Sequence, residues 1–321
     1  MPVAASLLAA LIPMSLYLVL LWRFDKYEKE PFKKVFKHFL WGAIGAIALA
    51  LIGSLVLSAS VKLLFPSLIV TGILEAIIIA PIVEELTKGA YLFKTAQSNE
   101  FDNITDGLVY GGAIGLGFGM TENFLYFFTY GVDFDSWLNI VILRSIFSAV
   151  MHCIATATFG AFLAMHKFHI GDLKFILPIS GYALAVLLHF MWNLSVSFSE
   201  TFLLGLLFLF LMILLFLFVF YISITNEKKI IVKELSNEND ISLLSTTDID
   251  ILASMKRNKK EWIKEEFRKD YITNAVKLAF RKHQLKHSKD WQKKYYAEEV
   301  TKLKLILTDL VSKMQQDISR G

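Results

Sequence analysis

Polar and apolar residues are segregated along this chain. Over residues 1–223 long apolar blocks alternate with short charged connections; beyond residue 224 short apolar repeats sit in a densely charged background. The blocks at 3–22, 39–64, 67–93, 106–130, 137–168, 175–198 and 202–223 each approach or exceed the roughly 20 residues a helix needs to cross hydrocarbon. They predict an all-α fold, a polytopic helical membrane bundle of about seven spans. The interval 224–248, rich in Ser, Asn and Asp, predicts a polar linker. From 249 to 321, Trp262, Phe267, Tyr271, Val276 and Phe280 recur at helical spacing among Lys and Glu, which predicts a soluble helical tail.

Charge refines this division. The chain has 321 residues, 55% hydrophobic and 19% charged, with a formal net charge of +4. Residues 1–223 carry 12 Lys/Arg against 14 Asp/Glu, and residues 224–321 carry 21 against 15. No nucleic-acid motif accompanies the basic tail, so a cytoplasmic surface facing anionic lipid is the simpler reading. The first block lacks a basic segment before it, and the cluster Arg23, Lys26, Lys29, Lys33, Lys34 and Lys37 follows it. That argues against a cleaved signal peptide and places the N-terminus outside and the cluster inside. Lys94, Lys167, Lys174, Lys228 and Lys229 then fall on the inner side and Asp133, Asp135 and Glu200 on the outer, with Lys62 against. The expectation is a multi-pass cell-membrane protein with a cytoplasmic tail. The lone Cys153 excludes an intramolecular disulfide. On a helix it diverges from His152 by about 100°, a poor nucleophile–base pair.

The chemistry concentrates in the middle blocks. Residues 78–91 place Glu84, Glu85 and Lys88 inside an apolar segment, after Pro81. An ionised carboxylate there costs roughly 3 kcal/mol or more unless it faces the bundle interior. Glu84 and Lys88 share a helix face and can pair, while Glu85 points elsewhere. The other intramembrane ionisable groups are Glu75, Glu122, Arg144, His152 and His189, with Asp106 at a boundary. Four-residue spacing recurs at Phe118/Glu122, His152/Thr156 and His189/Asn193. Glu75 lies about half a helical circumference from Glu84 and is left out of the site. Carboxylates, imidazoles and an amide on neighbouring helices make a water-activating site. A Glu can serve as general base, with His and Asn donating to an oxyanion. Alternatively, His152, His189, Glu84 and Glu122 could hold a divalent metal such as Zn²⁺ that acidifies the water. Neither HExxH nor CxxC occurs, so spacing alone does not decide for the metal. Arg144 is read as neutralising a carboxylate and Phe118 as packing.

In this order, these motifs resemble the PrsW family of intramembrane proteases, distantly related to the CAAX prenyl endopeptidases and the Abi group. The matching pieces are Glu84-Glu85-Leu-Thr-Lys88, then Asp106-Gly-Leu-Val-Tyr-Gly-Gly, Gly115-Leu-Gly-Phe118, Glu122-Asn123, His152 and His189-Phe-Met-Trp-Asn193. Residues 25–31, Asp-Lys-Tyr-Glu-Lys-Glu-Pro, look like that family's N-terminal motif. The resemblance covers roughly 15–200 and is silent on the tail. It implies endoproteolysis of a membrane-protein substrate within or beside the bilayer. In bacterial members the substrates include single-span anti-sigma factors, at their first, outer (site-1) cleavage. It carries Glu84 and Glu85 as catalytic carboxylates and His152 as a catalytic or metal-binding imidazole. His189 and Asn193 match the wider superfamily's HxxxN pair. Lys88, Glu122, Asn123, Arg144 and Asp106 are expected in support. Glu122 stands where the prenyl endopeptidases have His, which puts a three-ligand metal site in doubt.

Other classes use the same ingredients. A proton-coupled transporter also sets acids and imidazoles among deformable, glycine-rich helices, though the chain shows no paired inverted halves. A non-enzymatic membrane scaffold would need only the basic tail. On the expected span boundaries Glu84 lies in the inner half of its helix and Glu122 and Asn193 in the outer half. The offset is about 10 Å at 1.5 Å per residue, enough to keep Glu122 out of the site unless a kink or tilt removes it.

Overall fold

The computed structural model describes residues 2–64, 67–168, 173–236, 244–260, 262–288 and 290–320. Every regular element among them is helical. The chain divides into two compact units: one of residues 1–25 and 30–220, the other of 26–29 and 221–321.

The first unit begins with α1 (Val3–Phe24), α2 (Phe32–Leu40), a π-helical turn at Trp41–Ala46 and α3 (Ile47–Leu64). It continues with α4 (Leu68–Leu74), a second π turn at Glu75–Ile79, α5 (Ala80–Ala96) and α6 (Ile104–Tyr130). A third π turn, Arg144–Ser148, joins α7 (Phe134–Leu143) to α8 (Ala149–Phe168), and α9 (Leu173–Val196) and α10 (Phe202–Ser236) follow. By length and apolarity, five stretches among the described residues can cross a bilayer: Val3–Phe24, Phe32–Leu64, Phe134–Lys167, Phe175–Val196 and Phe202–Ser236. The other two expected spans, α4–α5 and α6, are the segments whose apolarity is diluted by charged groups and glycine. Lipid tolerates such segments when neighbouring helices surround them.

α6 is the axis of this unit, buried without a break from Thr105 to Gly119. Its glycines do what side chains would forbid. A Cβ on Gly115 would lie 2.2 Å from the His152 carbonyl oxygen, and one on Gly111 2.5 Å from that of Thr156. α6 and α8 therefore touch backbone to backbone, the close approach that small residues permit in membranes. The outer helices turn large apolar side chains outward, as at Leu51, Leu55 and Val56 of α3 and Leu203, Leu207 and Leu211 of α10.

The division between units falls inside α10, which continues through Asn226–Ser236. The first half of the interval read as a linker is thus helical, because Ile230, Ile231 and Leu235 give it an apolar face. Residues 237–243 of that interval lie outside the described residues. The second unit adds α11 (Thr246–Leu252), a 3₁₀ turn at Met255–Asn258, α12 (Glu265–His287) and α13 (Asp290–Arg320). Its core gathers Ile231, Leu235, Leu252, Tyr271, Phe280 and Leu307. Tyr27 joins it by donating its hydroxyl proton to the Ala253 carbonyl at 3.0 Å.

Candidate active site

α5 enters the site through a disturbed turn. Pro81 has no N–H to donate, and the helix winds as a π turn over Glu75–Ile79 just before it. Carbonyls along this segment are met by side chains of neighbouring helices, as membrane interiors require. Asn193 donates to the Ala76 carbonyl at 2.8 Å, Tyr182 to that of Ile82 at 2.8 Å and the Trp41 indole to that of Thr87 at 3.2 Å. Thr121 serves the π turn of residues 41–46 likewise, donating to Ala43 at 2.7 Å.

So held, α5 directs Glu84, Glu85 and Lys88 toward α6, α8 and α9. The Lys88 side chain is fully buried. Its ammonium donates to Glu85 Oε1 at 2.8 Å, His152 Nδ1 at 3.0 Å and Glu84 Oε2 at 3.3 Å, and lies 3.9 Å from the centre of the Phe118 ring. Three acceptors take its three protons and the negative face of the ring covers the remaining side. An ammonium cannot accept, so a neutral His152 carries its proton on Nε2, which donates to Glu122 Oε2 at 2.7 Å.

Glu85, 1% exposed, accepts hydrogen bonds on both oxygens. Oε1 accepts from Lys88 and from His189 Nδ1–H at 3.0 Å, and Oε2 accepts from the Thr156 hydroxyl at 2.9 Å. His189 therefore keeps its Nε2 lone pair, which faces Glu84 Oε2 at 3.8 Å. Glu84 is 13% exposed, and among the described residues its carboxylate accepts one hydrogen bond, from Lys88 at 3.3 Å. The two imidazoles stand edge to face, 4.8 Å between centroids. Glu122 also takes Arg144 Nη2 at 2.8 Å; Arg144 Nε donates to Asn123 Oδ1 at 3.1 Å, and its guanidinium stacks on Tyr126.

The structure thus brings together Glu84, Glu85, Lys88, Glu122, His152 and His189, with Arg144 and Asn123 behind Glu122. The axial offset expected between Glu84 and Glu122 is bridged by the reach of Lys88 and by His152, which bonds to both sides. Two expected residues lie elsewhere. Asn193 is engaged with the π turn's Ala76 carbonyl, one turn beyond His189. Asp106 closes the capping box of α6, where Asn103 is the cap and each side chain accepts from the other's backbone N–H. Sixteen residues separate it from Glu122, roughly 24 Å along the helix. Tyr126 is a contributor that sequence reasoning leaves out, and Thr156, marked by its four-residue step from His152, takes its part as the donor to Glu85. Phe118, read as packing, covers the ammonium.

Glu84, His152 and His189 offer ligand atoms within 4.8 Å of one another. A two-His, one-carboxylate set is a zinc-hydrolase donor set. Here, however, the Lys88 ammonium already contacts two of the three.

Comparison with known proteins settles the lineage. The family model described as "PrsW family intramembrane metalloprotease" matches residues 30–222, more than half the chain. The chain belongs to the PrsW family. It is similar to Protease PrsW of Oceanobacillus iheyensis, 32% identical over 121 residues that make up 37% of this chain and 53% of that protein. Protease PrsW of Geobacillus kaustophilus is 28% identical over 170 residues, 53% of this chain and 69% of the relative. That of Clostridioides difficile is 27% identical over 167 residues, 50% and 66% respectively. The chain thus spans between about half and two thirds of the length of these curated relatives. No solved structure matches. The matched PrsW region contains every member of the polar cluster and ends two residues past the first unit, leaving residues 26–29 and 223–321 of the second unit outside it.

Proposed function

We propose that this chain is an intramembrane endopeptidase that hydrolyses a peptide bond of a membrane-protein substrate with a water activated by Glu84. The observation that carries this reading is the 3.8 Å separation of Glu84 Oε2 and His189 Nε2. It is too long for a direct hydrogen bond and suited to a water that donates one proton to each. The oxygen of that water attacks the scissile carbonyl carbon while Glu84 takes its proton. As the tetrahedral intermediate collapses and the C–N bond breaks, the same carboxyl returns the proton to the leaving amine. Glu85, 1% exposed and held on both oxygens by three donors, is assigned a positioning part; it fixes the His189 tautomer and anchors Lys88. His152 and Glu122 complete the wall, and Arg144 carries positive charge at the more exposed end.

The substrate class that the family resemblance supports is a single-span membrane protein of the anti-sigma-factor kind, cut at its outer, first site. The charge pattern of the connections supports an outside N-terminus and a cytoplasmic second unit. The test is purified protein in liposomes with a quenched single-span substrate, comparing wild type, Glu84→Gln and Glu85→Gln. Cleavage by wild type, lost in folded Glu84→Gln, is expected. Absence of cleavage in every sample, with uptake driven by a pH gradient, would make the protein a transporter instead.

A further inference from the structure

Family membership implies a metal, and the three ligand atoms within 4.8 Å would suit one but for Lys88. A zinc-type ion sits about 2.0–2.1 Å from an imidazole nitrogen. His152 Nδ1 already accepts from the ammonium at 3.0 Å, so an ion on that lone pair would overlap Nζ. The other nitrogen, Nε2, is committed to Glu122 at 2.7 Å. With Lys88 in place, the residues present do not fit the ion.

We infer that the Lys88 ammonium is the resident cation of this site and keeps a divalent ion out, and that removing this one side chain turns Glu84, His152 and His189 into a metal site. Charge points the same way. Glu84, Glu85 and Glu122 face the cations Lys88 and Arg144, leaving one negative charge when both imidazoles are neutral. Exchanging the ammonium for a dication leaves none. Adding a dication beside the ammonium leaves a positive excess in apolar surroundings, which is costly. The supporting bonds are already in place for the exchanged state. Glu122 would keep His152 Nε2–H and Glu85 would keep His189 Nδ1–H, the carboxylate–imidazole pairs that orient metal-binding nitrogens.

The inference rests on reading this cluster as the working centre, but its test reads metal rather than cleavage, so each can fail alone. Full-length wild type, Lys88→Met, Lys88→Gln and the double variant Lys88→Met/His189→Ala are purified in detergent. Each is titrated with Co²⁺ and, after Zn²⁺ exposure and dialysis, analysed for elements. Wild type is expected to hold far less than one ion per chain. Lys88→Met or Lys88→Gln is expected to gain about one, with the absorption of low-symmetry Co²⁺, and the double variant to lose it again. Size-exclusion and tryptophan fluorescence identify which variants are folded. Wild type retaining one ion per chain overturns the inference whether or not any variant folds. So does a folded Lys88 variant that binds no more metal than wild type.

Discussion

Thr156 donates its hydroxyl proton to Glu85 Oε2 at 2.9 Å, within the buried part of the cluster. This bond fixes the rotation of the carboxylate whose other oxygen holds both Lys88 and His189. Its loss leaves a buried acceptor unpaired, at a cost of roughly 1.5–3 kcal/mol for a charged group. Thr156→Ala is therefore expected to lower kcat about ten- to a hundred-fold with little change in KM. Thr156→Ser should restore most of it. Equal activity in the alanine and wild-type proteins would show that Glu85 needs no such support.

The Gly115 contact makes a second prediction about geometry at a distance. A Cβ there meets backbone, at 2.2 Å from the His152 carbonyl oxygen, so α8 must move. Gly115→Ala should destabilise the protein by about 1–3 kcal/mol, as overpacking does, and displace His152 enough to abolish cleavage. Gly72 of α4 is the control: a Cβ there meets nothing within 4 Å. Gly72→Ala should raise the melting temperature, in line with about 1 kcal/mol of helix propensity, and leave cleavage unchanged. Thermal melting in detergent, with the cleavage assay, separates the two.

Acidity should act through Glu30, in the connection between α1 and α2. Burial pushes its carboxyl from 4.5 up to about 7, against the opposing hydrogen bond from Tyr110. The folded form thus holds this proton more tightly than the unfolded chain. The stabilisation is fully present below about 4.5 and is lost as the pH rises through about 7. Melting temperature should fall between pH 5 and pH 8, and Glu30→Gln, which cannot ionise, should flatten that part of the profile. A wild-type profile parallel to that of the variant would remove Glu30 from the account.

Much of the site was legible because charge in an apolar run has few explanations. Glu84, Glu85, Lys88, His152 and His189 stand out on that ground alone, and the structure gathers all five. Asp106 stands out for the same reason, and the structure puts it in the capping box at the start of α6. The spacing Asn103-Ile-Thr-Asp106 is also a capping signature, and at a helix start the cap is what forms. Asn193 shares a face with His189, yet it is engaged with a main-chain carbonyl at a π turn, and apolar sequence carries no mark of such turns. The joining of Glu122 to Glu84 was hidden for another reason. Rise per residue measures distance between backbones, whereas Lys88 and His152 span the gap with their side chains.

The glycine seam has a mechanical consequence. α6 and α8 meet main chain to main chain, with no side chains between them to rearrange, so the wall that bears Glu122, His152 and Thr156 is stiff. α5 and the π turn before it are tied to their neighbours by side-chain hydrogen bonds, from Asn193, Tyr182 and Trp41 to carbonyls and between Glu85 or Lys88 and His152, Thr156 and His189, and such bonds can open singly. Displacing α5 would therefore take the opening of individual side-chain bonds, whereas parting α6 from α8 would take the separation of two main chains in contact.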